Sequence, residues 1–74
     1  MNVEQKTAIL NSLKVLQVFD AMTIMRLMNR LSNNLDWHEC AYYLDELETR
    51  GIVRRTGRYH DRLTEYELNI PAGQ

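Results

Sequence analysis

Residues 36–53 read DWHECAYYLDELETRGIV, and the change of period inside this stretch decides the fold. Cys40, Leu44 and Leu47 recur at i, i+4 and i+7, and Trp37 and Ala41 widen the stripe. That spacing predicts a helix with one apolar and one wet face. Asp36 is a good N-cap, because its carboxylate can accept from the unpaired amides of the first turn. Gly51 suits the left-handed position just past a helix end, where a Cβ would clash. Ile52 and Val53 then open an extended segment, and RRTGRYHDR follows as a basic loop. The order is helix, glycine, strand, basic hairpin.

Working outward toward the N-terminus, residues 3–17 are helical by pattern. Ile9, Leu13 and Leu16 fall on one face with Leu10 at its edge, while Glu4, Asn11 and Lys14 face water. Val15 and Val18 lie on the far side, so this helix carries more apolar surface than one small core needs. Either it is simply well buried or it meets a second subunit. Phe19 and Asp20 mark a break, with Asp20 a cap for a helix from about Ala21 to Leu31. Ile24, Leu27, Met28 and Leu31 form its inner face, and Met22, Met25 and Met28 read as flexible core fillers before they read as a binding surface. Ser32, Asn33 and Asn34 are turn residues that tolerate left-handed backbone. The two helices form a helix–turn–helix pair whose turn is at or beyond the roughly 3–4 residues of the compact motif.

Past Gly51 the pattern becomes strand-like. Ile52 to Thr56 reads as one strand and Leu63 to Leu68 as the other, with Gly57 to Arg62 as a hairpin tip longer than two residues. Pro71 and Gly73 end the regular structure, and residues 69–74 are expected to be a loose tail. Seventy-four residues without repeat or linker make one domain, 1–74, of class α+β: three helices followed by a two-stranded hairpin. A chain this short buries only roughly 60% of its unfolded surface. The expected core is Ile9, Leu13, Leu16, Ile24, Leu27, Met28, Cys40, Leu44, Leu47, Ile52, Tyr66 and Leu68.

Composition narrows the function classes. Apolar residues at 45% and charged residues at 26% describe an ordinary globular protein. One cysteine permits no internal disulfide and fits the reducing cytoplasm. The N-terminal apolar stretch is interrupted by Asn11, Ser12, Lys14 and Gln17, so no signal peptide is expected, and no run approaches the roughly 18 apolar residues of a membrane span. Glycines 51, 57 and 73 form no phosphate loop, and no nucleophile sits in a recognisable motif, so no enzyme and no cofactor are expected. His38 and Cys40 are two apart on a helix and point apart, which argues against a metal pair.

The net charge is −1, but the charge is polarised. Between Asp36 and Glu48 stand five carboxylates and no Lys or Arg; between Arg50 and Arg62 stand five arginines against Asp61 alone. Any phosphate-binding surface therefore belongs on the hairpin side. The competing reading is a solvated hairpin whose arginines pair with Glu65 and Glu67.

The segment DWHECAYYLDELETRGIVRR, followed by TEYEL, resembles winged helix-turn-helix transcription regulators, and among them most closely the small PapI/FaeA-type pilus-operon regulators. The matching residues are Asp36, Tyr42, Tyr43, Leu44, Leu47, Glu48, Gly51, Val53, Arg55, Tyr66 and Leu68, over about half the chain. The turn between the two helices is longer than in that pattern. The resemblance implies that residues 36–50 form a recognition helix in the major groove of double-stranded DNA and residues 52–68 an arginine-rich wing on the backbone or minor groove. His38, Glu39 and Tyr42 would face base edges, and Tyr43 would sit at the backbone edge. Arg54, Arg55, Arg58 and Arg62, with Tyr59 and His60, would form the wing contacts. Trp37 reads as a core or staple residue. A homodimer or a protein partner would compensate for the small number of phosphates that one such domain can reach. The alternative function is a winged-helix protein-binding module, an inhibitor, adaptor or accessory subunit, in which the acidic helix meets protein.

Overall fold

The computed structural model describes residues 1–31 and 34–69. Three helices, α1 (Val3–Leu13), α2 (Ala21–Arg30) and α3 (Trp37–Thr49), are followed by an antiparallel hairpin of β1 (Val53–His60) and β2 (Leu63–Leu68). This is the α+β arrangement of a winged helix. Of the tail expected at residues 69–74, Asn69 is not loose: its backbone amide donates to the Ile52 carbonyl at 2.9 Å and its side-chain amide to the Gly51 carbonyl at 3.1 Å. The rest lies outside the described residues, as do Ser32 and Asn33 of the turn.

Each helix starts on a side-chain cap. Asn2 and Gln5 form a reciprocal capping box on α1, Asp20 accepts from the Thr23 amide, and Asp36 accepts from the Glu39 amide at 2.9 Å. The end of α3 is equally determined. Gly51 has φ +78°, its amide donates to the Glu48 carbonyl, and the Ile52 amide donates to that of Leu47. These two bonds are the Schellman pattern, and they aim the chain straight into β1.

The expected first helix is too long by about a turn. It ends at Leu13, and the amides of Lys14, Val15 and Leu16 fold back onto the carbonyls of Asn11 and Ser12. The reason lies in Phe19, which is buried and exchanges two backbone hydrogen bonds with Tyr66 of β2, at 3.0 and 2.7 Å. Helix continued to residue 17 would deny the chain that bridge. Val15, β-branched and left exposed, loses little by leaving the helix.

The turn between α2 and α3 is long but tied. The side-chain oxygen of Asn29 accepts from the Leu35 amide at 2.9 Å, Asn34 takes a left-handed φ of +46°, and Leu35 is buried. The two helices consequently pack directly on each other.

The hairpin differs most from expectation. There is no six-residue tip: β1 runs on to His60, and only Asp61 and Arg62, both at positive φ, connect it to Leu63. Two positive-φ residues make the mirror-image turn whose twist matches that of paired strands. The extra length is absorbed inside β1. Register passes from Arg55↔Tyr66 to Tyr59↔Thr64, so residues 56–58 oppose Glu65 alone, with Gly57 at φ +90° in the bulge.

Ile9, Leu13, Ile24, Met28, Cys40, Leu44, Leu47 and Tyr66 are buried as expected, joined by Phe19, Ala21, Leu35, Tyr43 and Val53. Leu16, Leu27, Ile52 and Leu68 pack against this core only partly buried. Trp37 does not join it. It is 40% exposed, stacked on His38, because Leu35 and Cys40 already fill the two staple positions flanking the cap.

Candidate nucleic-acid interface

The outward face of α3 carries His38, Tyr42, Asp45 and Thr49, spaced one turn apart and all exposed. Tyr42 is the most open of its aromatics at 76%. Glu39, half-buried, lies on the side toward α1 with Tyr42, Glu46 and Lys6. Tyr43, expected at the backbone edge, is instead 5% exposed. It stands three residues from Cys40 and four from Leu47, so the helix turns it inward, under the Lys6 ammonium at 5.5 Å. Burial, then the nearby Glu46, pushes its phenol up from its ordinary value. It is not an exposed contact residue.

The wing arginines are exposed but engaged. Arg54 pairs with Glu67 at 3.3 Å, Arg55 with Glu48 of α3 at 2.8 Å, and Arg58 with Glu65 at 3.1 Å. Cross-strand pairing, the competing sequence reading, is thus present for Arg54 and Arg58. Glu65 is the fixed point of the bulge. It accepts from the Thr56 hydroxyl and the Arg58 side chain, and these bonds, Thr56 foremost, hold its carboxyl below the ordinary range. Tyr59 is open at the outer part of β1.

A groove of about 430 Å³ lies between the start of α2, the start of α3 and the hairpin tip. Arg26 comes from α2, Trp37 from α3, and His60 and Arg62 from the tip; Met22 and Leu63 supply apolar wall. Neither Arg26 nor Arg62 takes part in an ion pair among the described residues. His60 Nδ1 stands 3.4 Å from the Asp20 carboxylate, an ion pair when the imidazole is protonated, and Asp20, with its side chain only 6% exposed, also caps α2. The capping residue therefore faces the wing as well. Arg26 was not singled out by the sequence, since nothing in the spacing of α2 shows that the wing tip closes beside it.

Among the described residues, no group of three or more His, Cys, Asp or Glu is placed to hold a metal ion, and no helix is long and apolar enough to cross a membrane. No family model, curated protein or solved structure matches the chain.

Proposed function

We propose that this protein is a small sequence-specific regulator that binds double-stranded DNA, with α3 in the major groove and the hairpin against the backbone or minor groove. The observation that supports it best is the exposure of His38 and Tyr42 one turn apart on the first half of α3, the second helix of a helix–turn–helix pair, in a domain whose wing carries the cations. His38 can donate to guanine acceptors, Tyr42 can bond a base edge, and Glu39 can accept from a cytosine amino group. Arg54, Arg55 and Arg58 supply the backbone contacts. Their ion pairs are solvent-exposed and individually weak, so a phosphate oxygen competes with each carboxylate. Arg62 has no ion pair among the described residues to give up. The likeness of the sequence to winged-helix pilus-operon regulators supports the same reading.

Binding titrations over a range of salt, on a selected duplex and a scrambled one, test it. Arg58→Ala and Arg62→Ala should weaken binding to both duplexes and flatten the salt dependence by about 0.9 of a slope unit for each phosphate that the variant no longer neutralises. His38→Ala or Tyr42→Ala should cost about 1–3 kcal/mol on the selected site and leave the scrambled one nearly untouched. Arginine variants that bind every duplex as the parent does would remove the wing from the interface.

The second reading, a protein-binding module, draws on one observation: three wing arginines are already neutralised by Glu48, Glu65 and Glu67. The acidic residues of α3 would then meet a basic protein surface. Failure of all duplex binding makes this the leading function.

A further inference from the structure

The groove at the wing tip has a chemistry of its own, separate from the outward face of α3. Its two guanidiniums without an ion pair among the described residues, Arg26 of α2 and Arg62 of the hairpin turn, line the same groove and suit an anion. Trp37 lines the groove with them; it is 40% exposed at the first turn of α3 and stacked on the ring of His38, with centroids 3.8 Å apart. Met22 and Leu63 make the remaining wall apolar. Two acids share the groove, Asp61 and Asp20, and the Oδ1 of Asp20 is engaged by the Thr23 amide and hydroxyl while its Oδ2 lies 3.4 Å from His60 Nδ1. A flat aromatic surface in a groove lined by two arginines fits a planar ring carrying an anionic group. The volume, about 430 Å³, lies in the roughly 300–1,000 Å³ range of small-ligand sites.

We propose that this groove binds a nucleotide, with its base stacked on Trp37 and its phosphate held between Arg26 and Arg62. Base–aromatic stacking tolerates any base, so the site selects for nucleotide as a class and not for one sequence. The nucleotide can be a free mononucleotide, in which case the groove is an effector site, or a splayed-out residue of a single strand. Neither case depends on α3 reading a duplex.

Trp37 is the only tryptophan of the chain, so emission excited beyond the tyrosine absorption band reports on Trp37, and the arginine variants tie that signal to the groove. The intact protein is titrated with adenosine monophosphate, with adenosine, and with a single-stranded ten-nucleotide DNA, while anisotropy of a labelled duplex is followed in parallel. Saturable quenching by adenosine monophosphate, much weaker with adenosine, is expected for the effector case; quenching by the strand alone is expected for the single-strand case. Arg26→Ala and Arg62→Ala should each weaken that quenching roughly tenfold, the cost of one charge-assisted bond, while Lys14→Ala leaves it unchanged. Circular dichroism confirms that the surface variants fold. Absence of saturable quenching by mononucleotide and strand overturns the proposal, as does quenching indifferent to both arginines. Duplex anisotropy that persists in those cases leaves the DNA-binding reading standing, and its loss with quenching retained removes that reading alone.

Discussion

Cys40 is the residue whose environment has the clearest solution consequence. It is almost fully buried on the inner face of α3, and burial pushes its thiol up to about 11, with Glu39 and Asp36 adding to the rise. The folded chain therefore holds this proton more tightly than the unfolded chain. Stability that is fully present below the ordinary value of 9.0 is lost as pH rises toward about 11. Denaturant midpoints measured from pH 8 to 11 should fall, and Cys40→Ala should flatten the lower part of that slope, Tyr43 and Tyr66 having phenols raised by burial that act at higher pH. Leu44, 1% exposed, tests the packing: Leu44→Ala should cost about 2–5 kcal/mol by chemical unfolding, and a neutral result would contradict its place in the core. The α3 stripe was legible from spacing alone, but its edges were not. Tyr43 and Trp37 exchanged roles because a helical wheel does not say how far a neighbouring element reaches round it. Here Leu35 reaches the cap first.

At the scale of elements, the hairpin tip combines backbone strain with an exposed cation. Arg62 sits at φ +68°, a conformation that favours glycine, at the second position of a two-residue turn. Arg62→Gly should raise stability by about 1 kcal/mol through relief of that strain, and at the same time weaken binding to duplex DNA. Thermal unfolding and binding titrations on the same variant read the two effects; unchanged or tighter binding would deny the side chain its role, and lost stability would deny the strain. The sequence marked both strands but placed the loop at residues 57–62, because Gly57 signals a bend equally well for a turn or a bulge. The pairing of His60 with Leu63 and the ladder around Glu65 decide between them, and those are cross-strand facts. Helix caps, by contrast, are local chemistry. Asp20, Asp36 and Gly51 were readable for that reason.

The whole molecule balances a small core against exposed apolar side chains. Val3 and Val15 stand open on and just beyond α1, with Val18 nearby in sequence, and these are the residues that a second copy would cover. Sedimentation at micromolar concentration should show a species near twice 8.8 kDa, with or without DNA; a clean monomer across that range would point to a different partner. The order of elements, the polarised charge and most of the core followed from the sequence. The groove did not, because its walls come from three separate segments. One consequence of the bridge between Phe19 and Tyr66 concerns the order of assembly. It closes a loop containing α2, α3 and β1, and docking of those elements shortens the effective loop and lowers the entropic cost of closing it. We expect the hairpin to be clasped last and released first, leaving a helical remainder with the edge of Phe19 open to another strand; amide exchange slower at Phe19 and Tyr66 than within α2 and α3 would contradict this order.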